Sequence, residues 1–385
     1  MRKQHVLSGA DRLETVDSLL RGKRVGLMTN PKGINHDFIS TIDLIHQRYH
    51  LTALYAVEHG IRGDAQAGAK IDDTMIDPAT GVTVYSAYGA NDHFTEEMLA
   101  AFDVLVFDIQ DVGARFYTYL YSLAYAMEAC ARAHKPMVVL DRVNPLGGVK
   151  RTGTILDERF TSFVGGYALP TQYGLTIGEY ARYVRDYLAL DVELTVVPLS
   201  GWKRGMYLDD TDLPWVAPSP NCADLATALC YIGTCIFEGT NCSEGRGTTQ
   251  PFQVIGAPFI NNAALAERMN VMALPGVHFR PTCFVPTFSK HEGVLCRGVQ
   301  LHITDREACD VFAAGLLLLD MIRAMYPDEF EFIHWGNEER YAFDKLLGTD
   351  TYRTGEVSAQ KLIAQSKEPV RQFGERVQKY LLYTD

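Results

Sequence analysis

Several patterns that identify common enzyme classes are missing from this sequence. It has no G-x-x-x-x-G-K-[ST] phosphate loop, no G-x-G-x-x-G after its first predicted strand and no G-x-S-x-G nucleophile elbow. Kinase, dehydrogenase and serine-hydrolase functions therefore lose most of their support. The eight cysteines are scattered without a C-x-x-C pair, which argues against a zinc knuckle or a redox dithiol and predicts thiols that are mostly reduced and buried.

Basic residues and long apolar runs are also scarce. Lys and Arg number 36 against 47 Asp and Glu, a net charge of −11, so we expect neither nucleic acid nor a membrane surface as a partner. The N-terminal segment lacks the apolar run of about seven or more residues found in an export signal. The most apolar helix candidate, Val311 to Tyr326, is interrupted by Asp320 and is too short to span a bilayer. The chain is therefore predicted to be cytoplasmic, without a membrane span.

The first half of the chain alternates strand-like and helix-like segments. With 385 residues, 47% of them hydrophobic, the chain is long enough for two or three globular domains. The alternation is typical of a mostly parallel sheet with helices on both faces, so we predict a Rossmann-like α/β fold. Strands are predicted at Arg24–Thr29, Leu51–Val57, Val82–Ser86, Val104–Gln110, Pro136–Leu140 and Val192–Pro198, and helices at His36–Tyr49, Thr95–Ala101, Tyr117–His134 and Thr176–Leu188.

The character of the sequence changes after Trp215, where a stretch rich in Pro and Ser indicates a loop before a helix that begins near Ala223. We place a domain boundary near residue 230. Residues 1–230 are predicted to form the Rossmann-like catalytic domain, and residues 231–385 a smaller α+β domain that completes the cleft. The second part has a predicted strand at Val299–Ile303 and predicted helices at Arg306–Met325 and Ala359–Glu375.

Polar side chains follow the predicted strands at the points where the strands end. In an open α/β sheet, ligands bind beyond the carboxyl ends of the strands. Two structural alternatives to a ligand-binding role stay open. Glu58-His59-Gly60 also fits a simple turn, and one of Asp108 and Asp111 is expected to be structural. Four carboxylates nevertheless share this edge, Glu58, Asp108, Asp111 and Asp141, with Asn30, His59 and Gln110 beside them.

Aromatic and basic residues follow the fourth predicted strand. Most tyrosines of the segment FYTYLY are expected in the core, but Tyr117 lies close enough to the strand end to line a pocket. Arg115 precedes it and is suited to hold either a substrate carboxylate or Asp111; the sequence does not separate these two roles.

A second polar segment runs from Phe237 to Phe252. Its three glycines and many hydrogen-bonding side chains form no regular strand or helix pattern, which is typical of a loop that contacts a ligand or another domain. Arg246 offers a planar guanidinium suited to bidentate capture of a carboxylate. The alternative is an ion pair between Arg246 and a neighbouring acid.

The chain resembles the exo-β-N-acetylmuramidase family over nearly its whole length. The resemblance rests on GLMTNPKGI, AVEHGIRGDAQAG, VFDIQDVGARFYTY, LDRVNPLGG, PSPN, FEGTNCSEGRGTTQPF and GVHFRPTCFVPTFSKHEGVLCRGVQ, which occur in the family's order. It implies a Rossmann-like catalytic domain, a smaller C-terminal domain and no cofactor. It also implies removal of N-acetylmuramic acid from the non-reducing end of peptidoglycan fragments, in cell-wall turnover or recycling.

The resemblance also implies roles for individual residues. Glu58 corresponds to the family's leading catalytic carboxylate, and Asp111 or Asp108 is the candidate for a second. Where the family suggests a His, this chain has Tyr173, which puts the exact substrate in question. For the lactyl carboxylate of muramic acid, Arg246 is the first candidate and Arg115 the second. The predicted substrate-binding residues are His59, Asn30, Gln110, Arg115, Tyr117, Asp141, Asn221, Glu238, Asn241, Glu244 and Arg246.

Two other functions stay open at this stage. In the first, Glu58, His59, Asp108 and Asp141 hold a divalent cation in a metal-dependent hydrolase. In the second, the cleft binds a sugar without turnover. The stereochemical outcome of hydrolysis is also open, because it depends on the distance between carboxyl groups in space.

Overall fold

A computed structural model of the chain describes residues 3–58, 60–62, 74–87 and 94–384. The larger of its two sheets has seven strands in the order β3-β4-β2-β1-β5-β6-β7, and only β3 runs antiparallel to its neighbour. The six parallel strands thus follow the order of a Rossmann sheet, with the switch point between β1 and β5. The strands are β1 Arg24–Thr29, β2 His50–Ala56, β3 Thr74–Ile76, β4 Thr83–Ser86, β5 Val104–Asp108, β6 Met137–Leu140 and β7 Leu194–Val197.

Helices cover both faces of this sheet. The helices of this part are α1 Asp17–Leu20, α2 Thr41–Arg48, α3 Glu96–Ala100, α4 Tyr119–Arg132 and α5 Ile177–Tyr187. Every residue of β5 is buried, and alternate side chains enter different cores. Leu105 and Phe107 pack with α3, α4 and α5, whereas Val104 and Val106 pack with α1 and α2. The predicted α/β fold with helices on both faces is therefore confirmed.

The smaller sheet is antiparallel, with strand order β8-β10-β9. Its strands and the remaining helices are α6 Leu225–Thr234, β8 Val254–Ala257, α7 Asn262–Val271, β9 Val277–Phe284, β10 Cys296–Ile303, α8 Val311–Met325, α9 Ala342–Leu347 and α10 Ala359–Val377. Helices α6 and α8 approach closely at Gly233 and Gly315, where a Cβ on Gly315 would lie 1.9 Å from the Gly233 carbonyl oxygen. The predicted boundary at residue 230 falls inside α6, and the division into two domains stays a prediction.

Several element boundaries differ from those predicted. Helix α2 begins at Thr41 rather than His36, because Ser40 caps it by accepting a hydrogen bond from the Asp43 backbone N–H at 3.0 Å. Helix α4 begins at Tyr119, so Tyr117 lies in the preceding turn. Strand β5 ends at Asp108, which places Gln110 and Asp111 in the loop beyond it. Strand β3 was not predicted at all.

The predictions on cysteines and membrane helices can also be compared with the structure. All eight cysteines are free, and all except Cys283 are buried, as predicted. Across the described ranges, no helix is both long enough and apolar enough to pass through a bilayer.

Candidate active site

The candidate site lies at the carboxyl edge of the large sheet, around its switch point. Thr29 at the end of β1 pairs with Ala56 of β2 on one side and with Asp108 of β5 on the other. The three strands therefore end level with one another. Asn30, Glu58 and Asp111 leave the sheet at this common edge, where an α/β sheet binds its ligand.

Glu58 is half-buried and faces the start of α4. Thr118 Oγ1 donates to Glu58 Oε2 at 3.4 Å, and the Tyr119 hydroxyl lies 3.4 Å from the Glu58 backbone oxygen. The predicted substrate contact His59 lies outside the described residues.

Tyr119 lies next to Glu58, one of the two candidate catalytic carboxyl groups. Its buried hydroxyl donates to the Pro218 carbonyl oxygen at 2.9 Å. Burial is the main cause that raises the Tyr119 pKa, and the charges of both Glu58 and Asp111 raise it further, while the side chain of Asn30 lowers it. The Tyr119 hydroxyl therefore lies beside Glu58, and the Asp111 charge contributes to its electrostatic surroundings.

Asp111 is a buried carboxyl group with one oxygen unused. Its Oδ2 accepts hydrogen bonds from the Gly113 N–H at 2.6 Å and from the Tyr173 hydroxyl. Its Oδ1 is buried and has no hydrogen-bond partner among the described residues. Burial raises the pKa of Asp111 to about 7, although the bonds from Tyr173 and Gly113 oppose this shift. The group is therefore partly protonated near neutral pH, as a general acid requires.

Tyr173 occupies the position where the family suggests a His. Its side chain is almost fully buried, and its hydroxyl reaches Asp111 across 62 positions of sequence. Position 173 was thus singled out from the sequence, but its partner was not. Tyr173 holds Asp111 and does not itself extend the binding surface, because only 1% of it is exposed.

Tyr117 and Asn221 line the same region. The Tyr117 ring lies edge-on to Tyr119, with 5.0 Å between ring centroids, and the charge of Glu58 contributes to raising its pKa after the larger effect of burial. Asn221 is buried three residues after Pro218, which accepts from Tyr119. The structure thus places Asn30, Glu58 and Tyr117 near Tyr119, and the role of these residues and of Asp111 and Asn221 in substrate binding stays a prediction.

Lys32 was not among the predicted site residues, although it lies two residues after Asn30. Only 3% of it is exposed, and its Nζ has no hydrogen-bond partner in the part of the chain that the structure describes. Nζ lies 4.6 Å from the centroid of the Trp215 ring. Burial and, to a smaller extent, the Arg142 charge lower the pKa of Lys32 to about 7. Its place after β1 was visible in the sequence, but its lack of a partner was not.

Comparison with known proteins assigns the chain to a family. Residues 25–226 match the family described as "Exo-beta-N-acetylmuramidase NamZ, N-terminal", and residues 229–383 match the corresponding C-terminal family. The chain belongs to the NamZ family. The predicted resemblance is thereby confirmed.

Similar proteins cover the whole chain. The peptidoglycan beta-N-acetylmuramidase NamZ of Bacillus subtilis (strain 168) is 47% identical over 388 residues, covering 99% of this chain and 92% of the relative. Two crystal structures of DUF1343 family proteins from Bacteroides fragilis NCTC 9343 superpose with TM-scores of 0.90 and 0.78, at 37% and 31% identity, and each match covers 99% of both chains. The two-part α/β architecture is therefore shared by these structures.

Asp108 was one of two candidates for the second catalytic group, but the structure places it in a buried ion pair. It is fully buried, and Arg142 donates to both its oxygens, with Nε 2.5 Å from Oδ1 and Nη2 2.8 Å from Oδ2. Thr41 Oγ1 also donates to Oδ2. In this NamZ family member the Asp108 carboxylate is thus occupied by an ion pair that joins β5 to the loop after β6. This arrangement leaves Asp111 as the second candidate.

Asp141 is likewise occupied by the fold and does not line the site. The backbone N–H groups of Gly178 and Arg142 donate to Oδ1 at 2.7 and 2.9 Å, and Thr176 Oγ1 donates to Oδ2 at 2.8 Å, as does the Tyr383 hydroxyl. Burial raises the pKa of Asp141 to about 7. The side chain therefore anchors the start of α5 and is not a substrate contact in this structure.

Arg115 and Gln110 also serve the scaffold. Arg115 is fully buried, and its guanidinium donates to the carbonyl oxygens of Thr154, Leu169 and Leu346 at 2.5 to 3.0 Å. It therefore reaches neither a substrate carboxylate nor Asp111, the two roles left open from the sequence. Gln110 Nε2 donates to the carbonyl oxygens of Asp111 and Val143, both at 2.7 Å, and so positions the Asp111 backbone.

Arg246 borders the site but is already paired. It donates to Glu238 Oε1 at 2.6 Å and lies 3.5 Å from Glu244 Oε1. Burial acts to lower its pKa, but the charges of Glu238 and Glu244 raise it on balance. Its guanidinium lies over Phe252, which contacts Tyr231, the neighbour of Tyr117. The structure thus shows the ion pair that was the alternative to carboxylate capture.

The remaining loop residues stabilise the Phe237 to Phe252 segment. Glu244 is buried, with Lys290 Nζ 2.7 Å from its Oε2. Asn241 donates to the Glu329 carbonyl oxygen at 2.7 Å and accepts from the Glu331 N–H at 3.1 Å. Asn241 thus fastens the loop to the chain before Phe332 and is not directed to a substrate.

Proposed function

We propose that this chain is an exo-acting glycoside hydrolase that releases N-acetylmuramic acid from the non-reducing end of peptidoglycan fragments. Membership of the NamZ family and 47% identity to a peptidoglycan beta-N-acetylmuramidase support the activity and a carbohydrate substrate. The cytoplasmic location and a place in cell-wall recycling stay predictions.

The observation that carries the proposal is the pair of carboxyl groups, Glu58 and Asp111, that follow β2 and β5 at the same edge of the large sheet. Glycoside hydrolysis needs an acid that protonates the leaving oxygen and commonly a second carboxylate near the anomeric carbon. Asp111, with its pKa raised to about 7 and Oδ1 unused, is suited to donate the proton. Glu58, half-buried beside Thr118, is suited to act at the anomeric carbon. Protonation breaks the bond to the leaving sugar, and water supplies the hydroxyl group of the released N-acetylmuramic acid.

Release of p-nitrophenol tests the proposal directly. The β-N-acetylmuraminide and the β-N-acetylglucosaminide are compared with wild type, Glu58→Gln and Asp111→Asn. We expect selective cleavage of the muraminide and a loss of about 100-fold or more in kcat in Glu58→Gln. For Asp111→Asn the same loss is expected on a disaccharide, because a leaving sugar oxygen needs a proton and p-nitrophenolate does not. Glu96→Gln, at an exposed position in the first turn of α3, is the matched control and should behave as wild type.

The two other functions predict different results. A sugar-binding protein without turnover would bind N-acetylmuramic acid in calorimetry but release no p-nitrophenol. A metal-dependent hydrolase would lose activity in EDTA. The cation site predicted for it used Asp108 and Asp141, and the oxygens of both side chains already accept hydrogen bonds from Arg142, Thr176 and other groups.

A further inference from the structure

Lys32 is a buried amine at the edge of the sheet that carries the candidate site. Its backbone N–H donates to Asn30 Oδ1 at 3.1 Å, so the side chain starts beside Asn30. Its Nζ has no hydrogen-bond partner among the described residues. A buried ammonium without a partner is unfavourable, so each such group calls for an explanation, and a bound ion is one of them.

The groups around Lys32 do not supply the missing negative charge. Trp215 places its ring 4.6 Å from Nζ, and the indole Nε1 donates to the Cys222 carbonyl oxygen at 3.3 Å. The Arg142 charge disfavours the ammonium form, and the Cys222 thiol, whose pKa burial raises to about 12, is uncharged near neutral pH. Asp108 does not compensate, since both its oxygens are bound to Arg142. Within the described ranges, no carboxylate compensates the charge of Lys32, which leaves room for an external anion.

Lys32 contacts Trp215 at one end of the segment from Trp215 to Cys222, and the same segment contacts the Tyr119 hydroxyl beside Glu58. The charges of Lys32 and Asp111 both act on the pKa of Cys222. The pKa of Tyr117 is in turn affected by Cys222 and by Glu58. The segment from Trp215 to Cys222 connects these groups, because its Pro218 accepts the hydrogen bond from Tyr119.

The substrate proposed above carries a suitable anion. N-acetylmuramic acid differs from N-acetylglucosamine by a lactyl ether that ends in a carboxylate. The two arginines predicted to bind this carboxylate are occupied, Arg115 by three carbonyl oxygens and Arg246 by Glu238. An ammonium group that lacks an acceptor is suited to a carboxylate, because hydrogen bonds between charged groups are the strongest.

Resting on the proposed function, we infer that Lys32 Nζ receives the lactyl carboxylate and thereby selects N-acetylmuramic acid over N-acetylglucosamine. Trp215 is half-buried in a segment without regular secondary structure, and its ring covers the amine. Entry of the carboxylate displaces this ring from Nζ. A muramic acid whose lactyl group is amidated, as where a peptide is attached, is neutral at this point and binds weakly.

The test compares two forms of one substrate. They are p-nitrophenyl β-N-acetylmuraminide and the same compound with its lactyl carboxylate converted to a methylamide. Wild type should prefer the acid over the amide by about 10- to 100-fold in kcat/KM, the range of a charged hydrogen bond. Lys32→Met should raise KM for the acid by a similar factor, leave kcat within about threefold and abolish the preference. Lys23→Met, at an exposed site, is the matched control and should leave KM unchanged.

A pH profile adds a readout that a structural role would not change. Since the pKa of Lys32 is lowered to about 7, KM of wild type for the acid should rise above neutral pH. In Lys32→Arg the rise should move to higher pH, because a guanidinium stays charged. Both the wild-type preference and this profile remain informative even if Lys32→Met fails to fold.

The outcomes distinguish a failure of the role inferred for Lys32 from a failure of the proposed hydrolase function. If wild type cleaves neither glycoside, the proposed function fails. If wild type cleaves the muraminide and needs Glu58, but Lys32→Met keeps the wild-type KM and the acid preference, only the role of Lys32 is overturned. Loss of the preference in Lys32→Met together with the shifted profile of Lys32→Arg supports it.

Discussion

The Tyr173 hydroxyl donates a hydrogen bond to Oδ2 of the buried carboxyl group of Asp111. This bond favours the charged carboxylate and so acts against burial, which raises the Asp111 pKa. The balance between the two places the pKa near 7, where the group can donate a proton in neutral solution. Tyr173 is thus a positioning residue that also adjusts the acidity of Asp111.

Tyr173→Phe should shift the pH dependence of hydrolysis. Without the hydroxyl the Asp111 pKa rises further, so the proposed acid stays protonated to higher pH. The alkaline limb of kcat/KM should therefore move to higher pH, with a loss of up to about tenfold in kcat from poorer positioning. Tyr180→Phe is the matched control, because its buried hydroxyl has no hydrogen-bond partner among the described residues. An unchanged limb, or one moved to lower pH, would contradict the role of Asp111.

Lys32→Met should alter the pH dependence of stability. The pKa of Lys32 is lowered from 10.5 to about 7, so the folded state disfavours the ammonium form. Lys32 costs the wild type no stability above pH 10.5. The cost grows as pH falls from 10.5 to about 7 and is complete below that pH. Relative to wild type, the variant should therefore gain up to about 4 kcal/mol between pH 10 and pH 6. Urea unfolding at both pH values measures this gain; equal differences at both would refute the burial of an unpaired amine.

Asp108→Asn should act on stability and not on catalysis. It removes one partner of a buried ion pair and leaves the Arg142 charge uncompensated, which costs about 3 to 5 kcal/mol. The loss should appear as a lower midpoint in denaturant. In the folded protein kcat and its pH profile should remain near wild type. Asp111→Asn should instead lower kcat and change its pH profile. A selective loss of kcat in Asp108→Asn would instead favour it as the second catalytic group.

Arg115→Met should leave substrate selectivity unchanged. The variant removes the donor of three buried carbonyl oxygens and should lower the free energy of unfolding by about 3 kcal/mol or more. The ratio of kcat/KM for the muraminide and the glucosaminide should match that of wild type, since Arg115 is fully buried away from the site. If a folded Arg115→Met variant lost this selectivity, Arg115 would instead be the residue that binds the lactyl carboxylate.

Much of the fold followed from local patterns. Apolar runs predicted six strands of the large sheet within two residues of their observed bounds, because a buried parallel strand needs side chains that are apolar on both faces. The short β3 was missed because its three residues, Thr74–Ile76, are all exposed and carry no such pattern. The start of α2 was predicted five residues too early, because the residues from His36 onward fit a helical pattern although the helix begins only after the Ser40 cap.

The sequence by itself determined the α/β class, the family and the edge of the sheet where polar residues converge. These follow from short-range periodicity, from strand ends that alternate with helices, and from motifs that are contiguous in the chain. Only the tertiary structure decided which polar residues are available. Asp108 and Asp111 are three positions apart, yet one is bound to Arg142 and the other to Tyr173 with an oxygen unused. Burial and pairing depend on groups brought together from distant segments, which is why Lys32 was missed and Arg115 was placed in the wrong role.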